Sequence, residues 1–425
     1  MNKQICDLSI VIPMPEQGDV SALLFSQIHS TLDQILVNHE IIVAGDQTHK
    51  SNPSLFQDDR CTFVDSRTAA YGDILLTGIQ RSIGKYIIVI DTETPLPENL
   101  LHELWMTRKT ADVIIGSRYV SEGEARMPIL RKVTSKIMNL VFSRGLDLDV
   151  HDMSSSYRLY KSHVIKNIMT QNKGYDILQE ILVRILLEGY TITEIPLKYQ
   201  SNDAAYKRML HFGVDYMKTF GRLWKIRNSI ASADYDARAY NALMPPQRYW
   251  QRQRYRHITD MIRNKGKCLD VGCGSSRIIG ALPKGSVALD ILIRKLRYAR
   301  RFGHDRVQGS IFDLPVPDQS FPCVVCSQVI EHVPRVNVLD ELDRVLKPGG
   351  FLILGTPDYG KWQWIVIEWL YKVLLPQAYA DEHITHYTFQ ELYDEMVTKR
   401  GYRLESTRYI LQGELILGLR KSSSQ

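Results

Sequence analysis

The sequence contains little cysteine and no long apolar run. Six cysteines occur in 425 residues, and Cys323 and Cys326 stand three apart in an apolar run that predicts a buried strand. Since side chains three apart in a strand point to opposite faces, we predict no shared metal or disulfide there. No stretch reaches the roughly 18 to 20 apolar residues of a membrane span, and the first residues lack a signal-peptide core. We therefore expect a cytoplasmic protein.

The charge balance is only mildly basic. A formal net charge of +6 favours anionic substrates or an anionic membrane surface, but it is too small to indicate nucleic acid. The sequence also lacks the basic aromatic runs of single-strand binders and any helix-turn-helix or zinc-finger pattern. Because single domains usually stop growing at about 250 residues, the length predicts two domains.

Two segments have the pattern of basic or tryptophan-rich amphipathic helices. Residues 207–228 place apolar side chains at helical spacing among arginines and lysines, and residues 362–375 contain three tryptophans. Tryptophan favours positions between apolar and wet surroundings. Each helix either packs on its own domain or makes a peripheral contact with the inner face of the membrane.

The amino-terminal half alternates strands and helices. Apolar strands are predicted at Leu8–Pro13, Glu40–Asp46 and Tyr86–Asp91, with helical periodicity between them. This alternation indicates an α/β fold with a mostly parallel sheet and helices on both faces. Ligands of such sheets bind beyond the carboxyl ends of the strands, where Pro13 and Asp46 lie.

Asp91 and Glu93 suggest a metal site. Two carboxylates at i and i+2 after a strand can share one divalent cation, and hard oxygen ligands suit Mg²⁺ or Mn²⁺. Such a cation neutralises the diphosphate of a nucleotide sugar. The competing interpretation is an ordinary acidic turn.

Further motifs follow in order along residues 8–207. They are Val43 to Thr48, Tyr71-Gly72, Thr77-Gly78, Gly84 to Tyr86, Pro95 to Glu98, Gly116 to Tyr119, Arg131-Lys132, Asp152 with Tyr157-Arg158, Gln179-Glu180 and Glu194 to Pro196. With Pro13 and the Asp91–Glu93 triplet, this half resembles the family-two glycosyltransferases of GT-A fold, and among them the polyprenyl-phosphate (dolichyl-phosphate) sugar synthases.

The resemblance implies a nucleotide sugar as donor and a lipid-phosphate or glycan acceptor. It assigns residues to three tasks: the nucleotide to Pro13, Glu16, Asp46 and Asp91, the catalytic metal to Asp91 and Glu93, and phosphate or acceptor binding to Arg118, Arg131 and Lys207. The sequence departs from the family pattern at several positions, such as Gly45 beside Asp46. A half that only binds sugar or lipid phosphate, as a scaffold, therefore remains the alternative.

The carboxyl-terminal half has a glycine turn after an acidic residue. An apolar strand ends at Asp270 and continues into Gly272 and Gly274, a turn that lets the backbone approach a ligand closely. A dinucleotide fold requires a third glycine where this chain has Arg277. A second strand ends in Asp290, at the spacing of a partner for ribose hydroxyls.

Later motifs complete the pattern, namely Gln308 to Pro315, Ser327 to Val333 and Leu346 to Leu354. Residues 235–425 resemble the class I S-adenosylmethionine-dependent methyltransferases, which have a Rossmann-like fold. The resemblance implies S-adenosylmethionine as cofactor. It assigns the methionyl end to Asp270, Gly272 and Gly274, the ribose to Asp290, and the adenine to Ser310 and Ile311.

Histidines follow the fourth strand of this half and recur in a later loop. His332 and His383 are candidates for the base that assists methylation of a hydroxyl. Ordinary polar packing and a metal held by this group are the alternatives.

The sequence thus predicts a glycosyltransferase domain at 1–228, a linker at 229–236 and a methyltransferase domain at 237–425, with residues 240–256 capping its pocket. The predicted function is bifunctional, with transfer of a sugar and methylation of an oxygen on a glycan or glycolipid. The alternative is a methyltransferase that carries an inactive binding scaffold.

Overall fold

The computed structural model describes residues 6–14, 22–46, 58–90, 96–200, 213–242, 245–374 and 383–423. The chain divides into two compact units. The first comprises Met1–Leu186 with Tyr190–Arg227, and the second comprises Leu187–Gly189 with Asn228–Gln425. Four predicted site residues lie outside the described ranges, namely Glu16, Asp91, Glu93 and Lys207.

A seven-stranded sheet forms the centre of the first unit. The strands of this unit are β1 Leu8–Met14, β2 His39–Gly45, β3 Cys61–Asp65, β4 Tyr86–Val89, β5 Val113–Ser117, β6 Glu124–Arg126, β7 Arg158–Lys161, β8 Ile192–Pro196 and β9 Lys198–Gln200. The sheet order is β3-β2-β1-β4-β7-β5-β8, and β7 runs antiparallel to both of its neighbours. Strands β6 and β9 form a separate parallel pair.

Helices cover both faces of this sheet. They are α1 Ala22–Gln34, α2 Tyr71–Arg81, α3 Leu100–Thr107, α4 Ile129–Gly145, α5 Ser162–Ile165, α6 Ile177–Leu187 and α7 Gly213–Arg227. Along β1, Ile10 and Ile12 join the core beneath α1 and α3. Val11 faces α2, where a Cβ on Gly78 would approach its Cγ1 atom to 2.6 Å. This alternation matches the period of two of a strand and confirms the predicted α/β architecture.

The second unit contains another seven-stranded sheet. Its strands are β10 Cys268–Val271, β11 Val287–Asp290, β12 Asp305–Gln308, β13 Phe321–Ser327, β14 Leu346–Pro357, β15 Arg403–Ile410 and β16 Glu414–Arg420. The order is β12-β11-β10-β13-β14-β16-β15, parallel except for the antiparallel pairings that β16 makes with β14 and β15. Strands β11 and β12 lie on one side of β10, and β13 and β14 lie on the other. The carboxyl end of β10 is therefore the switch point, where such folds bind ligands.

Helices of the second unit are α8 Tyr235–Tyr240, α9 Pro245–Ile262, α10 Ile293–Ala299, α11 Val338–Val345, α12 Trp362–Leu374 and α13 Phe389–Tyr393. Short 3₁₀ turns occur at Arg277–Ala281, Arg300–Phe302 and Ile330–His332, and a π-helical turn occurs at Asp394–Lys399. The sheet separates two apolar cores. Cys323 lies in one core and Cys326 in the other, so these thiols point to opposite faces as predicted.

Three helices carry apolar side chains on their exposed faces. On α7, Leu223 is buried while Met217 and Trp224 are exposed. On α12, Trp364 is buried, while the exposed apolar side chains are Trp362, Ile365, Val366, Trp369 and Leu370. Helix α4, which the sequence analysis did not single out, exposes Ile129, Leu130, Val133, Ile137, Leu140 and Val141. Among the described residues, no helix is long and apolar enough to cross a membrane.

Candidate functional sites

A cavity of about 680 Å³ opens at the carboxyl ends of β10 and β11 in the second unit. Asp270, the turn at Gly272 and Gly274, and Asp290 all line it. The structure thus brings together the residues that the sequence assigned to the methionyl and ribose ends of a cofactor. Ser310 and Ile311, assigned to the adenine, line the same cavity.

The glycine turn cannot accommodate side chains, because its φ values are positive and neighbouring side chains lie close to it. Gly272 and Gly274 adopt φ values of +68° and +55°. A Cβ on Gly272 would lie 2.3 Å from Cγ2 of Val329, and one on Gly274 would lie 2.7 Å from Oδ2 of Asp236. The cavity wall is therefore bare backbone at this point, which suits the close approach of an adenosyl cofactor.

The Asp290 carboxylate binds the backbone of the glycine turn. Its Oδ2 atom accepts a hydrogen bond from the Gly274 N–H at 2.8 Å, and its Oδ1 atom accepts one from the Leu292 N–H at 2.8 Å. These two bonds fix the carboxyl group at the end of β11. Each carboxylate oxygen can accept a further hydrogen bond, so both ribose hydroxyls could still bind.

Burial raises the pKa of both acids of this site. Burial, with the charge of Asp290 as a second cause, raises the pKa of Asp270 to about 7. Burial also raises the pKa of Asp290, although the N–H groups of Leu292 and Gly274 act in the opposite direction. A cationic ligand placed here would favour the ionised form of both carboxyl groups.

Asp236 is a third acid at the cavity, and the sequence analysis missed it. Its Oδ2 atom accepts hydrogen bonds from the Ser275 N–H at 3.0 Å, the Ser275 hydroxyl at 2.9 Å and the Lys295 ammonium at 3.1 Å. Burial alone would raise the pKa of Asp236, but Lys295 and Ser275 outweigh it and lower the pKa to about 2. Asp236 falls in the segment predicted as a linker, and Ile230, Ala231 and Tyr235 of that segment also line the cavity.

Helix α9 forms another wall. Trp250 and Arg254 line the cavity, and both donate to the buried carboxylate of Glu414 on β16, with an Nε–Oε1 distance of 2.6 Å from Arg254. The predicted cap segment at 240–256 therefore borders the pocket. Its anchor, Glu414, gave no signal in the sequence.

His332 and His383 lie next to each other in the wall of this cavity. Their ring centroids are 4.9 Å apart, and both rings line it. Glu331 is fully buried beside them; burial raises its pKa to about 8. The loop that carries His383 is attached to this turn, because the N–H groups of Ile384 and Thr385 donate to the Glu331 carbonyl at 2.8 and 3.0 Å.

In the first unit, Pro13 and Asp46 lie at the carboxyl ends of adjacent parallel strands. Pro13 pairs with Ala44, and Met14 pairs with Gly45, the residue before Asp46. This arrangement agrees with a shared nucleotide site at the sheet edge. Their proposed companions Glu16 and Asp91 lie outside the described residues.

Arg118 and Arg131 converge on one tyrosine. The Arg118 guanidinium carbon lies 5.2 Å from the Tyr199 ring centroid, and Nη2 of Arg131 donates to the Tyr199 hydroxyl at 3.4 Å. Arg118 also pairs with buried Asp152, donating from Nε at 2.7 Å and from Nη2 at 2.6 Å. Part of the Arg118 fork is therefore used inside the protein, which the sequence could not reveal.

The second unit is thus a doubly wound α/β domain with a cofactor-sized cavity at its switch point. Residues 269–354 match the protein family described as "Methyltransferase domain". Among solved structures, an S-adenosylmethionine-dependent methyltransferase from Thermotoga maritima shares 20% identity and a TM-score of 0.34, covering 41% of this chain and 94% of that chain. One from Methanosarcina mazei shares 21% identity and a TM-score of 0.32, covering 39% of this chain and 97% of that chain.

The amino-terminal region is similar to polyprenol- and dolichol-phosphate mannosyltransferases. It is 25% identical over 215 residues to the polyprenol monophosphomannose synthase of Mycolicibacterium smegmatis, covering 47% of this chain and 80% of that protein. It is 27% identical over 186 residues to the dolichol-phosphate mannosyltransferase of Pyrococcus furiosus, covering 42% of this chain but only about half, 52%, of that protein.

These findings confirm both resemblances. The carboxyl-terminal unit contains a methyltransferase domain, and the amino-terminal region is similar to polyprenol- and dolichol-phosphate mannosyltransferases. Together they support S-adenosylmethionine-dependent methyltransferase activity in the second unit and glycosyltransferase activity in the first.

Proposed function

We propose that this chain is a bifunctional enzyme. Its GT-A-like half transfers a sugar from a nucleotide sugar to a lipid-phosphate or glycan acceptor, and its second half methylates an oxygen of a glycan or glycolipid. The observation that carries the proposal is the convergence of Asp270, Asp290 and the glycine turn on one cavity at the β10 switch point. Residues 1–228 and 237–425 would be the two catalytic domains, and the connecting segment 229–236 would also contribute to the cavity wall of the second.

In the methyltransferase half, each wall of the cavity has a task. Asp270 with Gly272 and Gly274 would hold the methionyl end of S-adenosylmethionine, and Asp290 would accept hydrogen bonds from its ribose hydroxyls. Ser310 and Ile311 would border the adenine. The bound cofactor supplies a methyl group on a positively charged sulfur.

The acceptor would approach from the side of His332 and His383. An acceptor hydroxyl oxygen forms the new bond to the methyl carbon, the carbon–sulfur electron pair returns to sulfur, and the hydroxyl proton is lost. His332 or His383 could take that proton, since a neutral imidazole is a base near neutral pH. Neither residue needs to move far, because both rings already line the cavity.

In the glycosyltransferase half, Pro13, Glu16, Asp46 and Asp91 would bind the nucleotide sugar. Arg118, Arg131 and Lys207 would bind the acceptor phosphate, and the meeting of Arg118 and Arg131 around Tyr199 supports this. A phosphate acceptor is already anionic near neutral pH, so positioning and charge neutralisation would suffice for its attack. A Mg²⁺ or Mn²⁺ ion on Asp91 and Glu93 remains a prediction from the sequence.

A lipid-linked acceptor would place the protein at the inner face of the membrane. The exposed apolar stripe of α4 lies beside exposed basic residues, including Lys136 and Arg144, and Arg131 of the proposed phosphate site belongs to the same helix. Apolar side chains flanked by basic ones suit the boundary of an anionic lipid surface. We therefore propose a cytoplasmic protein that binds membranes peripherally.

Two assays test the proposal. Calorimetry should detect binding of S-adenosylmethionine to the purified protein, and absence of binding would exclude the methyltransferase activity. A panel of UDP- and GDP-sugars with Mg²⁺ or Mn²⁺ and a polyprenyl phosphate should give sugar transfer that chelation and Asp91→Ala abolish. If cofactor binds but no donor is consumed, the first unit is the inactive binding scaffold.

A further inference from the structure

Glu331, His332 and His383 form a compact set of potential metal ligands. One carboxylate oxygen and one nitrogen from each imidazole all lie within 4.8 Å of one another. Glu331 is fully buried, and within the described part of the chain its Oε1 atom has no hydrogen-bond partner. Buried carboxylate oxygens are nearly always paired, so this atom is open to a water molecule or an ion.

Outer contacts orient the ligand set. The Glu331 Oε2 atom accepts a hydrogen bond from the Thr356 hydroxyl at 3.1 Å. The Tyr359 hydroxyl lies 2.7 Å from Nδ1 of His383 and donates to Oε1 of Glu368 at 3.2 Å. In the His383 tautomer that donates from Nδ1 to this hydroxyl, Nε2 carries the lone pair of the ring and can bind an ion. Metal-binding histidines are usually oriented by such contacts at their second nitrogen.

Hydrogen bonds to main-chain carbonyls connect the His383 loop to the turn that contains Glu331 and His332. Ile384 and Thr385, which follow His383, donate through their N–H groups to the Glu331 carbonyl, and the Thr385 hydroxyl donates to the Val333 carbonyl at 2.6 Å. Three bonds therefore join the loop to the turn that contains Glu331 and His332. The ligand geometry is built by the fold and does not depend on a chance meeting of surface side chains.

From this geometry we propose that Glu331, His332 and His383 bind one divalent transition-metal ion at the acceptor end of the methyltransferase cavity. Two imidazoles and one carboxylate suit Zn²⁺, Mn²⁺ or Fe²⁺ better than Mg²⁺ or Ca²⁺, which prefer oxygen ligands. Three protein ligands leave coordination positions for substrate or water. His332 and His383 line the cavity, so an acceptor that enters it can reach those positions.

The ion defines the acceptor class, and this step rests on the proposed methyltransferase function. An acceptor hydroxyl bound to the ion would be held beside the methyl donor, and the ion would lower the pKa of that hydroxyl. A sugar with neighbouring hydroxyl groups could occupy two coordination positions. In this arrangement the histidines hold the ion, and this role replaces the role of base considered above. The hydroxyl proton would pass to solvent water, because the ion lowers the pKa of the bound hydroxyl.

Metal binding can be measured without turnover. We would use untagged, chelator-treated full-length protein and titrate it with Co²⁺, whose visible absorption reports coordination by nitrogen and oxygen ligands. We expect one Co²⁺ site with nitrogen ligands, distinct from any oxygen-ligand site on Asp91 and Glu93, and its affinity should fall at least about tenfold in His332→Ala, His383→Ala and Glu331→Gln. His386→Ala is the matched control, because His386 lies in the same loop and stacks on Tyr359 but is not part of the ligand set.

Calorimetry with S-adenosylmethionine, run in parallel on each variant, separates the two proposals. Retained cofactor binding in a variant that has lost Co²⁺ shows that the fold is intact and supports the metal site. Cofactor binding by a parent protein that binds no Co²⁺, or binding of Co²⁺ that is equal in His383→Ala and the parent, would overturn the metal site while leaving the methyltransferase function in place.

Discussion

Asp270 and Asp290 are buried acids on neighbouring parallel strands, and the charge of Asp290 adds to burial in raising the pKa of Asp270 to about 7. Each carboxyl group therefore makes ionisation of the other less favourable. A ligand that carries an ammonium and a sulfonium would relieve this conflict. The site is thus matched to a cationic ligand before any ligand arrives.

The pH dependence of cofactor binding should show this coupling. We expect affinity for S-adenosylmethionine to rise between about pH 6 and about pH 8, because Asp270 must lose its proton to pair with the ammonium group. Calorimetry in buffers of different ionisation enthalpy should detect proton release. Asp270→Asn should flatten the profile, and an unchanged affinity with no released proton would contradict the prediction.

The same pKa predicts the stability of the ligand-free protein. The folded-state pKa of Asp270, about 7, is above its ordinary value of 3.8, so the folded state favours the protonated acid. The contribution of this group to stability is therefore greatest below about pH 4 and is lost as pH rises through about 7. The free energy of unfolding, measured with denaturant, should fall with rising pH between about 4 and about 7 in the parent. Asp270→Asn should lack this part of the decrease.

Asp290→Ala should weaken binding of S-adenosylmethionine by about 1 to 3 kcal/mol, since the ribose hydroxyls would lose their acceptor. Isothermal calorimetry measures the change directly. Asp305→Ala is a suitable control, because Asp305 is an exposed acid at the start of β12. Equal losses in both variants would indicate a general effect of charge and not a ribose contact.

Asp236→Ala should destabilise the protein by about 1 to 3 kcal/mol, because Lys295 would be left buried without its partner. A double-mutant cycle with Lys295→Ala should give a clear coupling energy. Since the folded-state pKa of Asp236, about 2, lies below its ordinary value, its contribution should be present above about pH 4 and disappear as pH falls through about 2. Additive single effects would exclude the pairing.

The exposed stripe of α4 should bind anionic membranes. We expect Ile137→Asp with Leu140→Asp to abolish flotation with anionic vesicles, because the substitutions place charge where lipid would be. Raised salt should weaken binding by the parent, since each basic residue contributes about 1 kcal/mol at low salt. Met169→Asp changes a more exposed apolar residue outside α4 and should float like the parent.

Tryptophans on α12 allow a second test in the same assay. Trp362→Ser with Trp369→Ser removes two exposed rings and leaves buried Trp364 in place. Loss of flotation only in this variant would assign membrane contact to the second unit. Unchanged flotation in both double variants would show that neither stripe contacts lipid.

Local patterns explain what the sequence could predict. Asp270 and Asp290 were identifiable because an acid that ends a strand and a glycine turn are features of a few adjacent residues, and parallel strands bring their ends together. Asp236 was not identifiable, because its partner Ser275 lies 39 residues away and its own segment is small and polar. The segment 229–236, predicted as a linker, therefore contributes residues to the cavity wall.

Side-chain partners that are distant in the sequence were the second feature that the sequence could not predict. Arg118 is a residue type that often binds phosphate. Part of its guanidinium, however, binds the carboxylate of Asp152, which lies 34 residues later in the sequence. The stripe of α4 was missed for a related reason. Its apolar residues have the spacing of a packed helix, and only the absence of a covering neighbour in the described structure shows that they face outward.

The attachment of the His383 loop has an evolutionary consequence. The N–H groups of Ile384 and Thr385 bind the main-chain carbonyl of Glu331, and every residue except proline can offer such a group. The exposed side chain of Ile384 can therefore change without releasing the loop, whereas a change at Thr385 would also remove its hydroxyl bond to the Val333 carbonyl. Substitutions can therefore accumulate at Ile384 during evolution while the backbone anchor to the Glu331 turn stays the same.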